Sequence, residues 1–452
     1  MKNICCKFLV LLTVVQLTTV VSYAQTGITP ATALSHYLNN GDKTYQWEVK
    51  ENFKIAGTTV YKILLTSQKW RAHIWTHELS IIVPGQVKFD AAMLFITGGS
   101  IDSAGLPNWS GKDDELRIGL CNVAVQNKAV VAILKQVPNQ PLYDSLYEDA
   151  LISFTLHQFK EDGDYSWPLL FPMVKSATHA MDAVQEFCTR QLNKSVKRFV
   201  VSGASKRGWT TWLTGANDPR VVAIAPMVID MLNMPVSMNY QIKVWNDYSI
   251  QIEDYVKLGI VQDIGSAKTN DLTTMIDPYS YRNTLRMPKM IIMGTNDEYW
   301  PIDNIKNYYD SIPGQNLLHY VANVGHDLGD KKEALASLSS FFGLTLAKQP
   351  YPTCVWKTVA GKNYVEVNIT ATADKLTDVI LWSADSPDKD FRNDKWASKS
   401  LGIKGRHLIK IKELLPEKGY RAFYLNLKYR DANGGEYMES TRVFMTDEKV
   451  LL

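Results

Sequence analysis

The chain has 452 residues, 46% hydrophobic and 21% charged, enough apolar material for a large core and too much for a disordered or low-complexity protein. Forty-nine Lys and Arg against 46 Asp and Glu give a net charge of +3, which falls to +1 without Lys2 and Lys7 near the N-terminus. That balance gives no electrostatic reason to expect nucleic acid or an anionic membrane as partner.

Lys2 and Lys7 flank the start of an apolar run that extends from Phe8 to Val21 and meets the small-x-small triplet Ser22-Tyr23-Ala24. This is the pattern of a secretion signal over residues 1–24, so the mature protein is expected to be secreted or periplasmic after cleavage near Ala24. No later stretch approaches the roughly 20 apolar residues of a membrane span. Cys121, Cys188 and Cys354 remain after cleavage, too few and too far apart for a disulfide framework or a metal site. His73 and His77 lack the third ligand and the Glu of a zinc-protease helix, and packing explains them better. No metal and no cofactor is expected.

Strand-like runs at Thr59–Leu65 and Glu78–Val83 resemble the antiparallel opening of a mixed sheet. From residue 91 short apolar strands alternate with helical stretches: Met93–Ile96 ending in Thr97-Gly98-Gly99-Ser100, Ala129–Leu134, a helix over Phe171–Gln191, then Val196–Val201, Val221–Ile224 and Met290–Met293. Buried strands alternating with helices predict an α/β fold with a mostly parallel sheet flanked by helices, over residues 25–348. Residues 231–287 form a connection long enough to carry structure of its own, as a lid does. Beyond Pro350 the period changes to two, at Tyr364–Ile369, Val379–Trp382 and Phe423–Tyr429, predicting a β-sandwich over 353–452.

The chemistry concentrates at Val200-Val-Ser-Gly203-Ala-Ser205-Lys-Arg-Gly-Trp-Thr-Thr-Trp212. A strand running into Gly-x-Ser and then a helix presents a hydroxyl above a sheet, and the small residue before it relieves the crowding of the turn. The second glycine expected two residues after the Ser is Arg207 here, with Gly208 one place later. A hydroxyl needs a base, and the base an orienting acid. Gly294-Thr-Asn-Asp297 ends a buried strand with an acid, and Asn323-Val-Gly-His326 places a His before the last α/β helix. The order Ser205, Asp297, His326 is that of an α/β-hydrolase. Asp230, after the strand that follows the Ser, is the alternative acid. The Lys206 amide, with those of Gly98, Gly99 and Ser100, is the expected oxyanion site, since glycine lets a backbone approach a ligand closely. Arg207, Tyr299 and Trp300 are candidates for substrate contact.

Gly203–Trp212 resembles the signature of the PhoPQ-activated pathogenicity-related protein family, to which the autocrine proliferation repressors of social amoebae belong. Val137-Pro-Asn-Gln-Pro-Leu142, Pro288–Asp297, Asn323–His326 and Asp390-Phe-Arg392 with Trp396 resemble it too. The resemblance implies a secreted hydrolase-like protein with Ser205, Asp297 and His326 in the triad positions, and it names no substrate. Two expectations follow. One is a serine hydrolase acting on a small-molecule, glycan-ester or peptide substrate. The other is a non-catalytic binding or signalling protein on the same scaffold.

Overall fold

The computed structural model describes residues 27–266, 270–432 and 434–452; the signal sequence read over 1–24 lies outside the described residues. Apolar–polar alternation early in the chain builds three long antiparallel strands, β1 (Gln46–Ile55), β2 (Thr58–Trp70) and β3 (His73–Pro84). Tight turns set their register, pairing Ile55 with Thr58 and Trp70 with His73. His77 on β3 is fully buried, bonded to Ser67 Oγ (2.9 Å) and the Lys135 carbonyl (2.9 Å), and burial pushes its imidazole down to about 4. It is a packed, neutral histidine.

Six further strands form the parallel block: β4 (Ala91–Ile96), β5 (Val130–Leu134), β6 (Arg198–Ala204), β7 (Val221–Met227), β8 (Lys289–Gly294) and β9 (Asn316–Val321). They follow the order β5-β4-β6-β7-β8-β9, and β3 joins antiparallel to β5. Every residue of β4, β5 and β8 is buried, because helices cover both faces of a parallel sheet. Along β4, Ala92, Leu94 and Ile96 face one core while Met93 and Phe95 face the other. The first core includes α1 (Pro30–Leu38), the long α4 (Leu170–Leu192) and α5 (Lys206–Asn217); the second lies under α2 (Glu115–Asn127) and α10 (Lys332–Ala347). Helix α3 (Glu148–Asp162) precedes α4, and between β7 and β8 the chain forms α6 (Met234–Trp245), α7 (Glu253–Lys257), α8 (Ile260–Gly265) and α9 (Asp271–Ile276).

The C-terminal strands are β10 (Cys354–Ala360), β11 (Tyr364–Ala371), β12 (Leu376–Ser386), β13 (Ala397–Ser400), β14 (Leu408–Leu414), β15 (Tyr420–Arg430), β16 (Glu436–Ser440) and β17 (Phe444–Thr446). They make the expected two layers. The β10-β11-β14 sheet packs Val365, Val367 and Ile369 against Val379, Phe423, Leu425 and Leu427 of the other layer. That second layer is continuous with the central sheet: β16 pairs with β9 through Ser440 and Leu318, and Ser440 Oγ accepts the Tyr320 N–H (3.0 Å). The sandwich therefore grows out of the α/β sheet. Cys121, Cys188 and Cys354 are free and buried. Among the described residues, no helix is long and apolar enough to cross a membrane.

Candidate active site

Strand β6 turns into α5 at Ser205, which sits at φ 58° and ψ −127°, a backbone conformation that L-residues rarely adopt. Two hydrogen bonds hold it there: Ser205 N–H donates to the Met227 carbonyl and Trp209 N–H to the Ser205 carbonyl, each at 2.9 Å. Gly203 has to be glycine, since a Cβ would stand 2.9 Å from the Ile96 carbonyl and 2.8 Å from that of Arg207. Gly208 is equally tight, with the Met227 carbonyl at 2.8 Å. The turn thus finds its second small residue three places after the Ser.

Ser205 Oγ lies 2.8 Å from His326 Nε2, and His326 Nδ1 lies 2.8 Å and 3.0 Å from the two oxygens of Asp297. The three side chains form one unbroken hydrogen-bonded line from the elbow, the end of β8 and the loop after β9. Burial lifts the Asp297 carboxyl above its ordinary value, opposed by the His326 bond and the Tyr299 N–H, 2.8 Å from Oδ1. Tyr299 stacks on the imidazole with ring centroids 4.0 Å apart, and Glu298 accepts the His326 N–H (3.0 Å). Asp327, next to His326, caps its own turn by accepting the Gly329 N–H.

Asp230 makes no such bond. It is buried, its carboxylate 3.4 Å from Asn304 Nδ2, and burial with Asp297 and Asp303 nearby pushes it up to about 7. Of the two acids, Asp297 is the one that reaches His326. Arg207 is also engaged elsewhere. Its guanidinium forks onto Glu148 (2.6 Å and 2.8 Å) and donates to the Val137 carbonyl. Lys206 Nζ bridges Asp149 (2.9 Å) and Glu148 (3.2 Å). Both cations at the start of α5, which oppose the helix dipole, are thus met by carboxylates at the start of α3. The loop after β4 packs on the same group: a Cβ on Gly98 would lie 2.6 Å from Arg207 Nη2, Gly99 has φ 144°, and Ser100 Oγ accepts from Asn108 (2.8 Å).

Beside Ser205 lies a cavity of about 50 Å³. Met231, Met234, Met238, Trp209, Ile264 and Val261 make most of it apolar, and the expected Tyr299 and Trp300 line it as well. Its polar side is Asp149, Lys206 and Tyr255, whose hydroxyl donates to Asp149 Oδ1 (2.9 Å). Arg207 is not among its lining residues. On the far side of Tyr299, His326 borders an open groove with Gln251, Glu298 and Asp327. Sequence reasoning missed Glu148, Asp149 and Tyr255, whose partners lie tens of residues away with no shared motif. Among the described residues no His, Cys, Asp and Glu cluster suits a metal ion.

Residues 34–392 match the model of the PhoPQ-activated pathogenicity-related protein. The chain belongs to that family. A relative, autocrine proliferation repressor protein A of Dictyostelium discoideum, is 29% identical over 93% of this chain and 90% of its own. Solved structures with a similar fold include acetyl xylan esterase 1 from Thermoanaerobacterium sp. (13% identity, TM-score 0.44, 70% of this chain and 93% of that one). Another is an S-formylglutathione hydrolase from Agrobacterium tumefaciens (10%, 0.44, 66% and 99%). The scaffold of this family member is a mostly parallel α/β sheet flanked by helices, with a C-terminal β-sandwich.

Proposed function

We propose that this protein is a secreted serine hydrolase that cleaves a short-acyl ester through an acyl-enzyme on Ser205. The observation that carries the reading is the continuous line Ser205–His326–Asp297, with the Ser held in a strained turn at a helix N-terminus. Ser205 Oγ attacks the carbonyl carbon while its proton passes to His326 Nε2. The imidazolium returns that proton to the departing alcohol, and water repeats the sequence to release the acid and restore Ser205. Asp297 holds Nδ1–H toward itself, fixing the tautomer that leaves Nε2 free to accept. The Lys206 amide and those of the Gly98–Ser100 loop are the proposed donors to the oxyanion.

The cavity supports the size of the acyl group. It is small and lined mostly by apolar side chains, which suits a small acyl group such as acetyl better than a charged one. A short-acyl ester is the substrate that this lining favours over a peptide. The leaving alcohol then faces the open groove by His326. With Lys206 and Arg207 already paired to Asp149 and Glu148, and Glu298 and Asp327 on the groove, a neutral or cationic alcohol is favoured over an anionic one.

The test is labelling of the mature protein with a fluorophosphonate and mapping of the modified residue. Ser205 is expected to carry the label and to lose it in His326→Ala. Turnover of p-nitrophenyl acetate that survives intact in Ser205→Ala would sink the reading. The second reading, a signalling protein on a hydrolase scaffold, draws on the Dictyostelium relative named for repressing proliferation. It requires Ser205→Ala to keep full biological activity.

A further inference from the structure

One segment of the C-terminal strands reaches the loops that carry the acid and the base. Asn296, immediately before Asp297, donates from Nδ2 to three carbonyls of that segment: Phe391 (3.3 Å), Arg392 (3.1 Å) and Asp394 (2.8 Å). Asn323, three residues before His326, accepts the Trp396 N–H at 2.7 Å and donates to the Trp396 carbonyl at 3.0 Å. A side chain here pairs with backbone the way a neighbouring strand would. The two loops are also joined to each other, Asn323 N–H to Thr295 Oγ1 (2.8 Å) and Asn296 N–H to the Val324 carbonyl (2.9 Å).

The segment that grips them is itself anchored. Phe391 and Trp396 are 2% exposed, and Trp396 packs edge-on against Tyr424 of β15 at 5.5 Å. Arg392 pairs with Asp390 (2.6 Å and 2.7 Å) and lays its guanidinium 4.1 Å from the ring centre of Trp245, at the end of α6. Helix α6 contributes Met234 and Met238 to the cavity. The asparagine bonds add direction to that packing, next to Asp297 and His326.

We propose that residues 390–396 are a positioning element of the active site: through Asn296 and Asn323 they set the alignment of Asp297 with His326, and through Arg392 on Trp245 they tie it to the helix beside the cavity. The inference rests on the serine-hydrolase reading for its consequence, and on the hydrogen bonds above for its geometry. Deleting 353–452 therefore cannot separate a signalling role from catalysis, because the deletion also removes the grip on both loops.

The experiment uses the full mature chain with Asn323→Gly, which tolerates the φ of 58° at that site, and Asn296→Ala. Arg421→Ala is the control, removing ion pairs to Asp385 and Glu413 elsewhere in the same strands. Two signals are read: the rate of fluorophosphonate labelling at Ser205, and the low-field proton resonance of His326 Nδ1–H bonded to Asp297. The charged neighbours of His326 are Asp297, Glu298 and Asp327, with Arg392 beyond Glu298. Both asparagine variants are expected to label about ten- to a hundredfold more slowly. The resonance is lost, because the Nδ1–H is no longer held against Asp297. Arg421→Ala changes none of these. Wild-type rate and resonance in both asparagine variants would overturn the proposal, as would an equal change in Arg421→Ala. If wild type does not label at all, the hydrolase reading fails instead, and the resonance still decides: retained in both variants, it overturns the positioning role.

Discussion

The turn at Ser205 and the strands after Cys354 are held together in opposite ways. At Ser205 the fit is tight and made inside the parallel sheet: Gly203 and Gly208 leave no room for a Cβ against the Ile96, Arg207 and Met227 carbonyls, and the bond from the Ser205 N–H to Met227 holds the turn at φ 58°. Among the described residues the C-terminal strands share one ladder pair with the parallel sheet, Ser440 with Leu318, add Tyr424 and Trp396 to its core, and reach Asp297 and His326 through the side chains of two asparagines. The proposed nucleophile is thus fixed by its own turn and the strands on either side of it, while the alignment of its proposed partners is borrowed from strands that come later in the chain. Damage to the first region should abolish chemistry outright; damage to the second should degrade it.

The sharpest version of that contrast is Ser205→Ala, expected to lower esterase turnover by about 10⁶-fold while leaving the fold intact, read by p-nitrophenyl acetate hydrolysis beside a melting curve. Next come the two acids. Asp297→Asn should cost about 10⁴-fold in kcat, because an amide no longer holds the His326 tautomer. Asp230→Asn should cost less than about tenfold, since Asp230 bonds Asn304 and not His326. Equal losses in the two variants would mean that both carboxyls act on the base and that the local account is incomplete.

Much of the first region is readable in sequence. A strand, Gly-x-Ser and a helix are contiguous, and Asp297 and His326 each follow a buried strand, so order and spacing carry the information. Arg207 shows where such reading stops. It stands where a second glycine was expected and looks like a substrate contact, but its fork is occupied by Glu148, 59 residues earlier. Nothing local announces that partner. Gly98 is instructive for the same reason: the glycine that suggests an oxyanion loop also makes room for the Arg207 guanidinium. In the second region, period-two alternation reveals the strands and the two layers. Fusion to the central sheet leaves no trace, because one bridging pair has no pattern.

Glu148 tests the nucleophile side for such hidden dependence. Burial raises its carboxyl, but the Arg207 fork and Lys206 outweigh that and hold it down at about 2, against an ordinary value of 4.5. With its folded value depressed, its contribution to stability is complete above about pH 4.5 and is lost as pH falls toward 2. Glu148→Gln strands a buried Arg207 and should cost about 2–3 kcal/mol at pH 7, at the low end for a buried pair because Glu148 is partly solvated. Urea titrations from pH 7 down to 3 should show the gap between wild type and variant closing. A gap that stays constant with pH would assign the loss to packing.

The smallest effect runs the other way. Ser205 spends backbone strain to aim its hydroxyl, so Ser205→Gly should relieve about 1 kcal/mol while destroying activity. Glycine adopts φ 58° and ψ −127° without a Cβ clash, and the two backbone hydrogen bonds that fix the turn do not depend on the side chain. Part of that relief is returned, because a glycine gains more freedom in the unfolded chain than a serine does. A higher melting midpoint in Ser205→Gly than in Ser205→Ala, measured side by side, isolates the backbone term, since both variants lack the hydroxyl. Equal midpoints would mean that the strain relieved is no larger than the freedom glycine adds to the unfolded chain, so that the turn stores little strain of its own.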